Sequence, residues 1–212
     1  MWSILCIVFL VTSSSAHEHD EACDDVLQLV GWNSAAHTSF DPAGWTVIFS
    51  GKEIPCDGYV TQWMYWAKVS QPFRGIVLRP TDQDNVFTVV GINDISAGAI
   101  NQAVIYTVPK DERIEARQGD VIGLGWSDAS PQTTWTTSCN GAAQVRWYRD
   151  SDPSDLAPGD TATTTGVQDR CWSFSALVTS KLVHSHQASF RMMRMGKLST
   201  KSLRREVPDS NW

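Results

Sequence analysis

RIEARQGDVIGLGW, residues 113–126, carries two alternating runs that meet at Gln118-Gly119. Before the break, Ile114 and Ala116 can face a core while Arg113, Glu115 and Arg117 face water. After it, Ile122, Leu124 and Trp126 share one face and Val121, Gly123 and Gly125 the other. A period of two is the mark of a strand, because successive side chains leave the backbone on opposite sides. Gly119 supplies the positive φ that a tight reversal demands. Asp120, just past the break, is placed to accept hydrogen bonds from turn amides. With no base or nucleophile at a matching spacing, its role is that of a corner and not of a catalyst.

The same alternation extends on both sides. Strands are predicted at 45–50, 59–68, 73–79, 86–91, 102–108, 113–116, 121–126, 144–149 and 171–179. The last is the clearest: Trp172, Phe174, Ala176 and Val178 fall on one face, Ser173, Ser175 and Thr179 on the other. Turn residues separate the runs, at Asp57-Gly58, Pro80-Thr81-Asp82, Gly91, Pro109-Lys110-Asp111 and Gln118-Gly119. About nine short strands without βαβ spacing predict an all-β fold: an antiparallel two-sheet sandwich, jelly-roll-like and disulfide-stabilised. Two polar stretches, 127–143 and 150–170, read as loops projecting from it.

The chain ends differ from this body. MWSILCIVFLVTSSSA, residues 1–16, has a short apolar run and small residues at Ser14 and Ala16. That is the pattern of a cleaved signal peptide, too short to span a bilayer. An acidic leader is expected at 17–42, the sandwich domain at 43–180, and a basic, disordered tail rich in Ser and Met at 181–212. Residues 17–180 carry a net charge of −11 and residues 181–212 one of +5, within the whole-chain −6. An acidic body disfavours nucleic acid and favours cations or cationic surfaces. Cys6 leaves with the signal, so Cys23, Cys56, Cys139 and Cys171 remain, an even set suited to two disulfides in an oxidising compartment. Three pairings are open. No pair lies at CxxC spacing, which argues against zinc. The sequence predicts an extracellular, secreted product with no transmembrane segment and no N-glycosylation acceptor.

Three quoted runs carry a family resemblance: CDGYVTQWMYWAK at 56–68, VLRPTDQDNVFTVVG at 77–91 and YTVPKDERIEARQGDVIGLGW at 106–126. Their succession resembles an uncharacterised β-sandwich module of secreted and ectodomain proteins of marine invertebrates. Some of these look like components of shell or skeletal organic matrices. The resemblance covers residues 43–179 and departs from the pattern at Arg117 and in the basic tail. It implies a fold and an extracellular setting, and it transfers no catalytic residue.

Enzyme chemistry has little to rest on. No GxSxG, HExxH, GxGxxG or P-loop pattern occurs, and His37 is the single histidine inside the expected body. No cofactor is required by anything in the sequence. Three binding chemistries remain as expectations. Cleavage after Ala16 would expose His17 and His19, and an amine with an imidazole at position three suits square-planar Cu(II) or Ni(II). Asp82 and Asp84, beside Asn85, and Asp150, Asp152 and Asp155, with Asp160, supply oxygens for weak calcium binding or for a calcium mineral surface. Trp135 sits in a polar loop with Thr134, Thr136 and Asn140 and could stack on a sugar, or pack down as a loop anchor. Trp45, Trp126, Trp147 and Trp172 read as core, and Trp63 and Trp66 point to opposite faces of one strand. The function expected is that of a secreted, non-catalytic extracellular matrix component, of a mineralised (biomineralisation) matrix. The alternative is a soluble, lectin-like carbohydrate-binding protein using the 127–143 loop.

Overall fold

The computed structural model describes residues 27–39, 44–96, 98–126, 133–137, 144–148 and 155–180, with the backbone alone described over 144–148. The described strands are, in chain order, β1 (Gln28–Gly31), β2 (Trp45–Glu53), β3 (Gly58–Ala67), β4 (Phe73–Pro80) and β5 (Val86–Ile95). There follow β6 (Gln102–Thr107), a 3-10 turn (Lys110–Glu112), β7 (Glu115–Ala116), β8 (Val121–Trp126), β9 (Trp135–Thr136) and β10 (Gln144–Tyr148). The chain closes with β11 (Thr161–Thr163), β12 (Gly166–Asp169), β13 (Cys171–Trp172) and β14 (Phe174–Ser180). The described body is all-β, and its pairings are antiparallel.

One sheet runs β1-β14-β3-β6, with β7 also on β3; a seven-stranded sheet runs β11-β5-β4-β8-β2-β10-β12; β13 and β9 form a small ribbon. The two large sheets face each other across an aromatic core, the arrangement of a β-sandwich. Phe174 of β14 lies at its centre. Its ring stacks on Trp63 at 5.2 Å and on Phe49 at 6.0 Å, and meets Phe73 edge-on at 6.0 Å. These rings fall inward for the reason the alternation predicts. Trp63 and Tyr65 are buried on β3, whereas Met64 and Trp66 between and beyond them are half-exposed.

Burial of β8 goes further than one dry face. All six of its residues are buried, because a second apolar cluster covers the far side of the seven-stranded sheet. Ile48, Ile76, Leu78 and Val121 meet Leu156 and Ala162 there. That cover comes from 155–164, within the stretch that reads as a polar loop. It is laid onto β5 by backbone bonds, Val89 N–H to Asp160 C=O (2.8 Å) and Thr164 N–H to Asn85 C=O (2.8 Å). Hydrophilic composition hides such a segment, since Leu156, Ala162 and Thr164 are buried and the residues around them stay exposed. β11 and β12 therefore stand where the sequence predicts loop, as β9 does within 127–143. Likewise β1 lies inside 17–42, set ahead of the domain by sequence, yet pairs with β14 from Gln28↔Val178 to Gly31↔Ser175.

The corner at 117–120 forms as the sequence predicts. Gly119 has φ +84°. Ile114 and Ala116 are buried, while Glu115 and Arg117 are exposed. The Asp120 carboxylate accepts the Arg117 amide at 2.8 Å. Among the described residues no helix is long and apolar enough to cross a membrane.

Candidate functional site

The residues singled out around Trp135 come together, though not as an open loop. β9 pairs with β13, placing Trp135 opposite Trp172 and Thr136 opposite Cys171. On the other side the Trp135 amide donates to Ser39 C=O at 2.9 Å. The segment is thus threaded between 33–39 and β13. Thr133 and Thr134 are fully buried. Thr133 Oγ1 donates to Ser173 C=O (2.8 Å), and Thr134 Oγ1 accepts the His37 amide (3.1 Å). Burial pushes the His37 imidazole below its ordinary pKa.

Trp135 itself is half-buried against the core cluster. Its ring lies 6.3 Å from that of Trp172, and the Arg170 guanidinium sits 3.9 Å from its centroid. Arg170 on the ring is a cation–π contact of about 0.5–1 kcal/mol where solvent reaches it. These contacts hold the ring as an anchor for the loop. Trp172 is in turn 5.3 Å from Trp126, and Trp45 is the cross-strand partner of Trp126. The indole N–H groups of Trp126, Trp135 and Trp172 are buried without an acceptor among the described residues. Asn140 lies outside the described residues, and so does the side chain of Trp147.

The metal candidates among the described residues are not gathered. Asp82 and Asp84 are exposed in the β4–β5 turn, where Thr81 Oγ1 caps the chain by bonding Val86 C=O at 3.0 Å. Asp155 is exposed at the start of the segment covering the seven-stranded sheet. Among the described residues no three His, Cys, Asp or Glu side chains converge on a common point. His17, His19, Asp150, Asp152, Cys23 and Cys139 lie outside the described residues. Cys56 and Cys171 are within them and both are buried.

Two buried polar constellations escape sequence reading. Asp120, 1% exposed, receives Arg79 Nε at 2.8 Å and Nη2 at 2.9 Å, a bidentate pair. The carboxylate raises the Arg79 pKa above its ordinary value. Asn93, 3% exposed, accepts the Trp63 indole N–H at 2.8 Å and donates to Glu112 C=O at 2.8 Å. It ties one sheet to the other. Neither pair has a signal in spacing, since the partners come from different strands.

The charges are distributed unequally. Every described carboxylate except Asp120 is exposed. Four of the described cations are engaged: Lys52 lies 4.4 Å from the Trp32 ring, Arg170 lies on Trp135, Arg79 on Asp120, and Arg74 Nε on Asp94 at 3.0 Å, whereas Lys110 and Arg117 are exposed. An acidic exterior results. No protein-family model, no curated protein and no solved structure matches the chain.

Proposed function

We propose that this chain is a secreted, non-catalytic component of an extracellular organic matrix of the mineralised kind, and that its rigid acidic exterior is the working surface. The observation that carries the reading is the charge distribution just described, with an excess of exposed carboxylates and four of the cations held on rings or in ion pairs. Dispersed carboxylates on a rigid sandwich suit many weak contacts to a calcium-bearing surface better than one high-affinity ion. The resemblance to marine-invertebrate sandwich modules favours the same setting. The native protein is expected in the fraction released only when tissue is demineralised, and purified protein is expected to adsorb to a calcium mineral and to elute with salt. Free recovery from body fluid, with no adsorption, would overturn the proposal.

The fold we assign to the working body is a jelly roll. Its support is strand order: β1-β14-β3-β6 and β2-β8-β4-β5 are the two four-stranded orders that a double Greek key produces. β10 to β12 extend the second sheet at its edges.

We further propose that two disulfides clamp opposite ends of the sandwich, Cys23 to Cys56 and Cys139 to Cys171. Cys56 and Cys171 are both buried. Gly58 and Trp66 lie at the two ends of β3, about 26 Å apart at strand rise. Cys56 precedes Gly58 by two residues; Cys171 precedes by two residues Ser173, whose C=O accepts the Trp66 amide. A disulfide tolerates a Cα separation of at most about 7 Å, so these two are not each other's partners. Cys139 follows Thr136, which faces Cys171, by three residues, a reach of about 11 Å. Cys23 precedes Gln28 on the strand that runs parallel to β3 two places away, at the Cys56 end. Non-reducing peptide mapping is expected to find Cys139 joined to Cys171. A Cys23–Cys171 peptide would reject the assignment.

A further inference from the structure

The exposed edge of the first sheet carries a partner site. We infer that β6 pairs, antiparallel, with β6 of a second copy of this chain, with Ile105 on the two-fold axis. The proposal stands on backbone geometry and does not rest on the matrix reading.

Among the described residues β6 pairs with β3 on one side only, in a register running from Gln62↔Thr107 to Ala67↔Gln102. The Val108 amide donates to Thr61 C=O at 2.9 Å in that same register. Because antiparallel hydrogen-bonded pairs alternate, Tyr106, Val104 and Gln102 also spend their backbone groups on β3. The N–H and C=O of Ala103, Ile105 and Thr107 point the other way. All three residues are exposed, Ile105 at 61%.

Edges of this kind are ordinarily protected by brevity, charge or proline. The other edge strands of the two sheets are short: β1 and β12 have four residues each, β11 has three and β7 has two. β6 has six. No charged residue lies between Asp94 and Lys110, and the first proline, Pro109, follows the strand.

The strand is also self-complementary. With Ile105 opposite its own copy, Ala103 of each chain falls opposite Thr107 of the other, and every outward N–H and C=O is used. In that register Asn101 falls opposite Pro109. Asn101 has φ +57°, which turns the chain away, and proline has no N–H to give, so the pairing ends cleanly at both termini. Two bodies of net charge −11 repel each other over most of their surfaces. An uncharged strip is where they can meet. The outer face beside it is apolar as well: Met64 faces Ile105 and Trp66 faces Ala103, both half-exposed, with Leu177 and Leu29 beyond. Pairing would join two such faces into one continuous sheet surface.

One strand pair covers less than the roughly 1,200 Å² of a stable interface, so the dimer is expected to dissociate on dilution. Sedimentation of the full secreted chain over about two decades of micromolar concentration reads this directly. The wild type is expected to double in mass with rising concentration. Ile105→Pro removes an outward N–H while leaving the β3 bonds intact, and Ile105→Lys sets two charges against each other; each is expected to stay monomeric with the circular dichroism of the wild type. Register is read by cross-linking. Ile105→Cys with oxidised glutathione is expected to give a covalent dimer, and Ala103→Cys, displaced from its own copy by four residues, is expected to give little. A wild type that is monomeric throughout would overturn the proposal, as would a dimer indifferent to both position-105 variants or equal cross-linking from the two cysteine variants. A foreign strand or another segment of this chain as the true occupant would appear as the first of these results.

Discussion

Arg79→Ala is expected to lower unfolding free energy by about 3 kcal/mol, towards the low end of what breaking a buried ion pair costs. The reason is the partner left behind. Asp120 is 1% exposed, and its two oxygens are held by Arg79 Nε and Nη2 with the Arg117 amide as a third donor. Without the guanidinium, a carboxylate stays buried with one backbone hydrogen bond and no counter-charge. The Arg79 side chain is 38% exposed, so water can enter the vacated space, which keeps the cost below the fully buried case. Asp120→Ala should be similarly destabilising, because it leaves Arg79 without its partner and also removes the acceptor of the Arg117 amide that closes the turn. The double variant Arg79→Met with Asp120→Leu should recover much of the loss, since removing both charges removes the desolvation penalty too. Urea unfolding of all four chains decides it. A loss under about 1 kcal/mol for Arg79→Ala would mean that the pair acts as an exposed one.

The second large effect is expected from the smallest change, Gly75→Ala. A Cβ on Gly75 would lie 2.6, 2.8 and 2.9 Å from three ring atoms of Trp63. Nothing flexible can yield. The indole is fully buried, stacked on Phe174 at 5.2 Å and fixed through its N–H to Asn93 at 2.8 Å. Moving the ring breaks that bond and strands the Asn93 carbonyl between the sheets. Overpacking of about 1–3 kcal/mol and an unsatisfied buried amide of about 1–3 kcal/mol then add. The expected result is a loss of about 4 kcal/mol, with near-ultraviolet circular dichroism altered before unfolding. Combining Gly75→Ala with Trp63→Leu should be less than additive, because the clash disappears with the ring. Strict additivity would show that the strain lies in the β4 backbone and not against Trp63.

These two sites divide what was legible. That Trp63 and Trp66 take opposite faces follows from alternation on a single strand, and so does the shared face of Phe174, Ala176 and Val178 on β14. The Asp120 corner follows from a glycine and a carboxylate next to it. Arg79 does not, although it ends a clearly patterned strand, because nothing in its neighbours tells that a turn 41 residues later will stand beside it. Trp135 shows the same limit. Its polar neighbours mark a loop, but whether the ring tucks in depends on Trp172 and Arg170, which another strand brings up.

What the sequence determined by itself was each strand's two faces and the places where the chain must turn, because side-chain alternation and glycine φ preference are properties of adjacent residues. Tertiary structure decided which strands are neighbours, which sheet is covered on both sides, and where buried charges find partners. β1 has only four residues; it is a strand because β14, whose Val178 faces its Gln28, offers it hydrogen bonds. Such pairing is settled by contacts between distant segments, and no local pattern records them.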